Sequence, residues 1–175
     1  MRLFIAINFC EKIRAQLVFL RDELRSRSKR GNFTFVENLH LTLAFLGECD
    51  AKQTAAAKAA MEAIGFEPFT LNIERIGRFK RDGGDIWWAG VQENAHLSTL
   101  HSNLTDELMT AGFRLEKRKY SPHVTLGRNV ETDAAPWQVS PFSETVTGIE
   151  LMKSERIDGR LAYTAIYEKR VNEEA

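Results

Sequence analysis

The stretch from His40 to Gly47, "HLTLAFLG", and the stretch from Ser121 to Arg128, "SPHVTLGR", repeat one small pattern. Each places a His and a Thr two positions apart inside a short apolar run. The chain holds only four His, so two in one frame require a reason. Side chains at i and i+2 of a strand share a face. His40 and Thr42 therefore project together while Leu41 and Leu43 turn away, and His123 and Thr125 do the same against Val124 and Leu126. On a half-buried strand the apolar residues define the core face, which leaves each imidazole beside a hydroxyl on the accessible one.

The same order of elements leads to both motifs. Before the first, the apolar run from Leu3 to Asn8 suits a strand, and Ile13, Leu17, Leu20 and Leu24 recur at helical spacing. "SRSKRGN" ends that helix with Gly31 as a left-handed cap, and "FTFV" is a short β-prone lead-in. Before the second, "DIWWAGV" reads as a strand. Asn94 caps a helix striped by Leu97, Leu100, Leu104 and Leu108, and Gly112 stops it. Sliding the chain along itself by the distance between the two histidines lays Phe4 on Trp87, Leu17 on Leu100 and Gly31 on Arg114. The first two pairs agree in kind and the third does not. The repeat is one of order, strand then helix then His-x-Thr strand, more than of residues.

Between the two units, Ala51 to Ile64 is helical by propensity and is closed by Gly65 and Pro68. "FTLNIERIGRF" then alternates as a strand and "KRDGGD" is a loop. After Pro141, "TVTGIELMKS" and "RLAYTAIYEKR" are β-like, joined through an Asp158-Gly159 hairpin turn. The reading is a duplicated α/β unit over 1–175, with repeats near 1–80 and 85–170, each bringing one His-x-Thr to a common cleft.

Composition narrows the function. The chain has 175 residues, 43% hydrophobic and 27% charged, which is a globular balance. Its 24 basic and 24 acidic residues cancel, which argues against a protein that coats long nucleic acid but not against a site gripping one or two phosphates. Cys10 and Cys49 show no pairing pattern and read as buried thiols in a reducing compartment. The N-terminus lacks the features of a signal segment, and no apolar run approaches the ~20 residues that span a bilayer. These features predict a soluble, cytoplasmic protein.

Two imidazoles and two hydroxyls facing one another suit a phosphodiester. One neutral His can take a proton from attacking water, and the other, protonated, can give one to the departing oxygen. An ordinary pKa of about 6.5 fits both roles. The Thr hydroxyls can hydrogen-bond the non-bridging phosphoryl oxygens. No covalent intermediate, cofactor or metal is demanded: HExxH is absent, no thiol lies at ligand spacing, and no carboxylate immediately flanks either triplet. A non-catalytic module that binds RNA ends or phosphate would use the same side chains and stays open as an alternative. The residue types alone do not say which His is acid and which is base.

With both triplets in long matching contexts, the chain resembles the two-histidine phosphoesterases. It is most similar to the bacterial RNA 2′,3′-cyclic phosphodiesterases, once described as 2′-5′ RNA ligases. The resemblance runs through "RLFIAI", "NLHLTLAFLGE", "IWWAGV" and "PHVTLGR". It implies an α+β, bilobal and pseudo-symmetric fold, each lobe a small antiparallel sheet backed by outer helices, with the site in the central cleft. It also implies hydrolysis of a terminal 2′,3′-cyclic phosphate to a 2′-phosphate, with His40 as proton donor and His123 as acceptor. Arg128 matches the family's basic residue after the second motif and would bind phosphate. Substrates would be RNA ends or short oligonucleotides, tRNA halves among them. Reversible 2′-5′ ligation is a side activity the resemblance allows, and a monomer is expected.

Other residues are weighed against plainer roles. Phe45 falls in phase with Leu41 and Leu43 if its strand runs straight, which makes it a core residue; it would reach a terminal base only if the strand bends. Phe79, between Arg78 and Lys80, has the composition of an RNA contact and equally of a strand end beside a loop. The "EKRK" run ending at Lys119, and Lys29 with Arg30 before the first motif, read singly as surface charge. Together they sit at equivalent places and predict a locally positive cleft. His101 lies on the helix stripe and reads as a core-edge residue. His96 has no nameable partner. Of Trp87 and Trp88 one faces the core, and the sequence does not say which.

Overall fold

The computed structural model describes residues 1–172. In chain order the elements are β1 (Arg2–Asn8), α1 (Glu11–Ser26), β2 (Ser28–Phe33), a 3₁₀ turn (Val36–Asn38) and β3 (His40–Glu48). Then come α2 (Ala51–Ala63), β4 (Phe69–Phe79), β5 (Asp85–Val91), α3 (Ala95–Thr110), β6 (His123–Thr132), β7 (Trp137–Val146), β8 (Gly148–Ile157) and β9 (Arg160–Arg170). The helices follow from their stripes. Ile13, Leu17, Leu20 and Leu24 of α1, and Leu97, Leu100, Leu104 and Leu108 of α3, are all buried. Asp50 and Gln53 form a capping box at α2, and the Asn94 side chain accepts the Leu97 N–H at 3.0 Å to open α3. Gly112, at φ +98, closes α3 in the left-handed conformation that only glycine adopts cheaply.

Every strand pairing among the described residues is antiparallel, in the order β7-β4-β5-β6-β3-β1-β8-β9, with β2 added on β6. The two small sheets expected for separate lobes are thus one sheet. Its halves, β1-β3-β8-β9 and β4-β5-β6-β7, join through a single registered pair, Leu41 opposite Val124. Strands cross between the halves of the chain: β4 pairs with β5 and β7, while β8 pairs with β1. Residues 80–85, read as the boundary between repeats, form the turn of the β4–β5 hairpin. The helices lie outside the sheet, α1 against β2, β6 and β7, and α2 packed on α3. Leu3, Ile5 and Ile7 of β1, Leu41 and Leu43 of β3, and Trp87 and Ala89 of β5 turn into this helix-covered core.

The ladder also corrects the internal alignment. Ala6 pairs with Thr42 and Trp88 with Thr125, so the counterpart of Trp87 is Ile5, equally buried, and Phe4 belongs to the opposite face. Gly31 is no helix cap. It lies within β2, where a Cβ would come within 3.0 Å of Val130, so close packing and not a left-handed turn is what asks for glycine. Strand β7 starts at Trp137, eight residues before the first tail strand read from sequence, because Pro141 interrupts its alternation of half-buried Trp137, Val139 and Phe142 with exposed polar residues. The Asp158-Gly159 turn holds, with both residues at positive φ of 53 and 76.

Candidate active site

His40 and His123 begin β3 and β6, the two strands that meet at the junction of the half-sheets. Leu41 and Val124 face each other in the core, so the residues flanking them share the opposite face. Antiparallel register there runs Thr42 toward His123 and His40 toward Thr125. The two imidazoles are anchored alike. His40 Nδ1 lies 2.7 Å from the Asn38 carbonyl oxygen, and His123 Nδ1 lies 2.7 Å from that of Ser121. A carbonyl only accepts, so Nδ1 carries the proton in both rings and Nε2 is left for chemistry. His40 Nε2 lies 2.9 Å from the Thr42 hydroxyl, which donates to it when the ring is neutral.

A pair of bulges completes this face. Ile5 pairs with Ala44 and Ala6 with Thr42, which leaves Leu43 as an extra residue in β3. Trp87 pairs with Gly127 and Trp88 with Thr125, which leaves Leu126 extra in β6. Each bulge shifts the alternation by one. Leu43 with Ala44, and Leu126 with Gly127, both turn inward in succession. Phe45 and Arg128 therefore emerge on the histidine face. Phe45 is 63% exposed, which corrects its reading as a core residue, and Arg128 is exposed on the same face.

Aromatic rings wall both imidazoles. The Tyr163 ring stands edge-on to His40 at 5.2 Å, Phe4 lies 4.9 Å from His40, and Phe45 lies 6.0 Å beyond Phe4. On the other side Phe79 stands edge-on to His123 at 5.1 Å, with Trp88 at 6.3 Å. Trp87 is the core partner of this pair of tryptophans and Trp88 the cleft one. Burial lowers the pKa of His40 below its ordinary 6.5, opposed by the bond to Asn38 and reinforced by the charges of His123 and Arg128. His123 is lowered for the same reasons, burial first, against its bond to Ser121 and with Arg128. Among the described residues no three His, Cys, Asp or Glu side chains gather to hold a metal ion.

Three contributors had no signal in the motifs. Asn38 is buried, and its Nδ2 donates to the Leu161 carbonyl at 2.9 Å, which fixes the segment whose carbonyl holds His40. The Tyr120 hydroxyl donates to the Thr42 carbonyl at 2.8 Å and ties the approach to the second motif onto the first. Tyr163 comes from β9, far along the chain. Only the spacing of Asn38 and Ser121, each two residues before a His, was visible in the sequence.

Carboxylates meet three of the basic side chains in the expected approaches. Lys29 pairs with Asp133 at 3.6 Å, Arg30 with Glu131 at 2.7 Å and Arg118 with Glu116 at 2.8 Å. Lys119 is exposed and precedes the anchored Tyr120. Besides Arg128, two cations stand at the His123 wall: Arg75, over Trp88 at 5.6 Å, and Arg81, over Phe79 at 5.6 Å. His101 stacks on Tyr120 at 3.7 Å at the core edge, and His96 stacks on Phe69 at 6.0 Å. Cys49 is buried, whereas Cys10 is exposed at the start of α1, and both are free thiols. A groove of about 950 Å³ is bordered by Asn8, Glu150 and Met152 but by none of the four motif side chains.

Comparison with known proteins agrees with this geometry. A model of the 2′-5′ RNA ligase superfamily matches residues 11–158. An RNA 2′,3′-cyclic phosphodiesterase of Thermotoga maritima is 35% identical over 131 residues, 73% of this chain and 70% of that protein. Its Escherichia coli counterpart is 31% identical over 167 residues, 94% and 93% of the two chains. The crystal structure of E. coli LigT complexed with 3′-AMP superposes with a TM-score of 0.83 at 29% identity, covering 97% of each chain. With matching order, matching strands and both motifs in place, the chain belongs to the RNA 2′,3′-cyclic phosphodiesterase family of the two-histidine phosphoesterases.

Proposed function

We propose that this chain hydrolyses the 2′,3′-cyclic phosphate of an RNA end to a 2′-phosphate, by general acid–base catalysis that requires no metal. The observation that carries it is the matched anchoring of two imidazoles on one face, each with Nδ1–H on a carbonyl two residues upstream, which makes Nε2 the proton-transfer atom in both, held on His40 by the Thr42 hydroxyl. In the family's assignment His123, neutral, takes a proton from water as its oxygen bonds phosphorus. His40, protonated, gives a proton to the 3′-oxygen as the P–O3′ bond breaks. The products are a 3′-hydroxyl and a 2′-phosphate, and solvent exchange resets both rings. Thr42, Thr125 and Arg128 would bind the phosphoryl oxygens, whose charge changes during attack. Phe45 and Phe79 offer faces for bases, and Lys119 is a peripheral contact.

Nucleotide binding by a relative supports this reading, since LigT was crystallised with 3′-AMP and with phosphate. We place the protein as a two-lobed, single-domain cytoplasmic monomer acting on RNA ends; its two free thiols fit a reducing compartment. No helix among the described residues is long and apolar enough to cross a membrane. The test is incubation with an oligonucleotide ending in a 2′,3′-cyclic phosphate after exhaustive chelation, using wild type, His40→Ala and His123→Ala. Each variant should lose ~10²–10⁴ in kcat, and wild type should yield a 2′-phosphate. Tight binding of unchanged substrate would favour an RNA-end-binding module.

A further inference from the structure

The chain has three tyrosines, and two commit their hydroxyls to the protein. Tyr120 donates to the Thr42 carbonyl and Tyr167 to the Glu62 carboxylate. Tyr163 differs. Among the described residues its hydroxyl makes no hydrogen bond, and it is not sealed from solvent. Its position is set by register: Phe4 pairs with Met152, Arg2 with Ser154, and Ser154 in turn with Tyr163, which keeps Tyr163 on the face of Phe4 and His40. The ring is held by edge contacts to Phe4 at 4.9 Å and to His40 at 5.2 Å. Beyond its burial, the phenol feels the charges of both Arg128 and Arg2.

We propose that Tyr163 contacts the substrate, its hydroxyl donating a hydrogen bond to a ribose oxygen of the terminal nucleotide and so seating that nucleotide on the His40 side of the cleft. This rests on the cyclic-phosphate reading above. The departing 3′-oxygen stays on the ribose, so the ribose must lie beside whichever histidine protonates it, and that histidine is His40. At an RNA end closed by a cyclic phosphate, the O2′, O3′ and O5′ oxygens are all esterified and O4′ lies in the ring. The ribose then offers acceptors only, and a donor is what it needs. Burial raises the phenol pKa, so the group stays a donor across the working range. The edge-on ring at His123 is Phe79, which has no hydroxyl. The two sides of a nearly symmetric site thus differ by one donor, which gives the substrate a direction.

Tyr163→Phe keeps the ring and its contacts, so its melting temperature should match wild type. On a nucleoside 2′,3′-cyclic phosphate its kcat/KM should fall about tenfold, the scale of one lost hydrogen bond. Inhibition by a nucleoside 2′-phosphate should weaken about tenfold while inhibition by inorganic phosphate is unchanged. Adding Phe79→Tyr to this variant should restore nothing. Kinetics within twofold of wild type, equal weakening of both inhibitors, or restoration by Phe79→Tyr would each overturn the assignment. None of these results touches the two-histidine reading, which stands or falls with His40→Ala and His123→Ala.

Discussion

Phe45 and Arg128 occupy equivalent points in the two halves of the site. Each is the fifth residue after its histidine, and each is brought onto the histidine face by a one-residue bulge in its strand. The symmetry is of position and not of chemistry: an aromatic face stands on one side and a guanidinium on the other. Arg128→Ala should therefore lower kcat by roughly 10²–10³, as loss of a charge-stabilising donor does. Phe45→Ala should act mainly on KM, raising it about tenfold for nucleoside substrates, as loss of a stacking partner does. Steady-state kinetics of both variants on one cyclic nucleotide would check this. A kcat defect in Phe45→Ala equal to that of Arg128→Ala would contradict the division of roles.

The pH dependence follows from the two lowered imidazoles. The reactive form holds one His protonated and one neutral, so kcat/KM peaks between the two apparent pKa values of the free enzyme. Both histidines sit below their ordinary 6.5, chiefly through burial, so the maximum should fall on the acid side of about 6.5. Above it, rate is lost as the donor deprotonates; below it, as the acceptor becomes protonated. Arg128 contributes to both shifts by repelling a second positive charge, so Arg128→Gln should displace the remaining activity to higher pH. A pH–rate series on wild type and this variant measures both the position and the sign.

Much of this site is legible in the sequence, because His40, Thr42, His123 and Thr125 obey strict period-two alternation up to the residue where each bulge begins. The same rule failed one step later. An extra residue at Leu43 or Leu126 leaves no mark in the hydrophobic pattern, since Leu followed by Ala or Gly reads equally as a straight strand. Phe45 was consequently assigned to the core. Arg128 escaped the error only because family resemblance placed it. Tyr163, Asn38 and Tyr120 reach the cleft through pairings between distant parts of the chain, β8 with β9 and Asn38 with Leu161, and local periodicity carries no information about such partners. The basic approaches were misjudged for a related reason. Lys29 and Arg30 are neighbours of the first motif in sequence, but β2 runs along the far end of β6, where Glu131 and Asp133 meet them.

Gly77 offers a test of how the His123 wall is held. It pairs with Trp88 across β4 and β5, and a Cβ there would overlap the indole ring, whose neighbours are Phe79 at 5.4 Å and His123. The backbone of Gly77 is not among the positive-φ glycines, so the obstacle is steric alone. Gly77→Ala should cost about 1–3 kcal/mol, as overpacking does, and should also lower kcat because Trp88 is pushed toward the cleft. Urea denaturation together with kinetics in the absence of denaturant would separate the two effects. An alanine variant as stable and as active as wild type would show that the ring moves freely.

Substrate length follows from the charges around the cleft. The basic stretches at 29–30 and 116–119 predict a locally positive cleft, but Lys29, Arg30 and Arg118 are each met by a carboxylate. The large groove beside the cleft is lined by Glu37, Glu144, Glu150 and Glu168 against Lys12, Arg14 and Arg170, which does not favour a phosphate backbone. Zero formal net charge points the same way. What remains is a compact footprint of His40, Thr42, His123, Thr125, Arg128 and the flanking rings, enough for a terminal nucleotide and its neighbour. Each phosphate contact adds close to one unit to the slope of log affinity against log salt, so a protein holding one or two phosphates shows a shallow dependence. Dinucleotides ending in a 2′,3′-cyclic phosphate should then be turned over within a few fold of a decamer or a tRNA half, at low salt and at high. Measuring kcat/KM for the three across a salt series decides the matter. A gain of about a hundredfold with length that collapses as salt rises would mean that Arg75, Arg81 or Lys119 extends the footprint along the RNA.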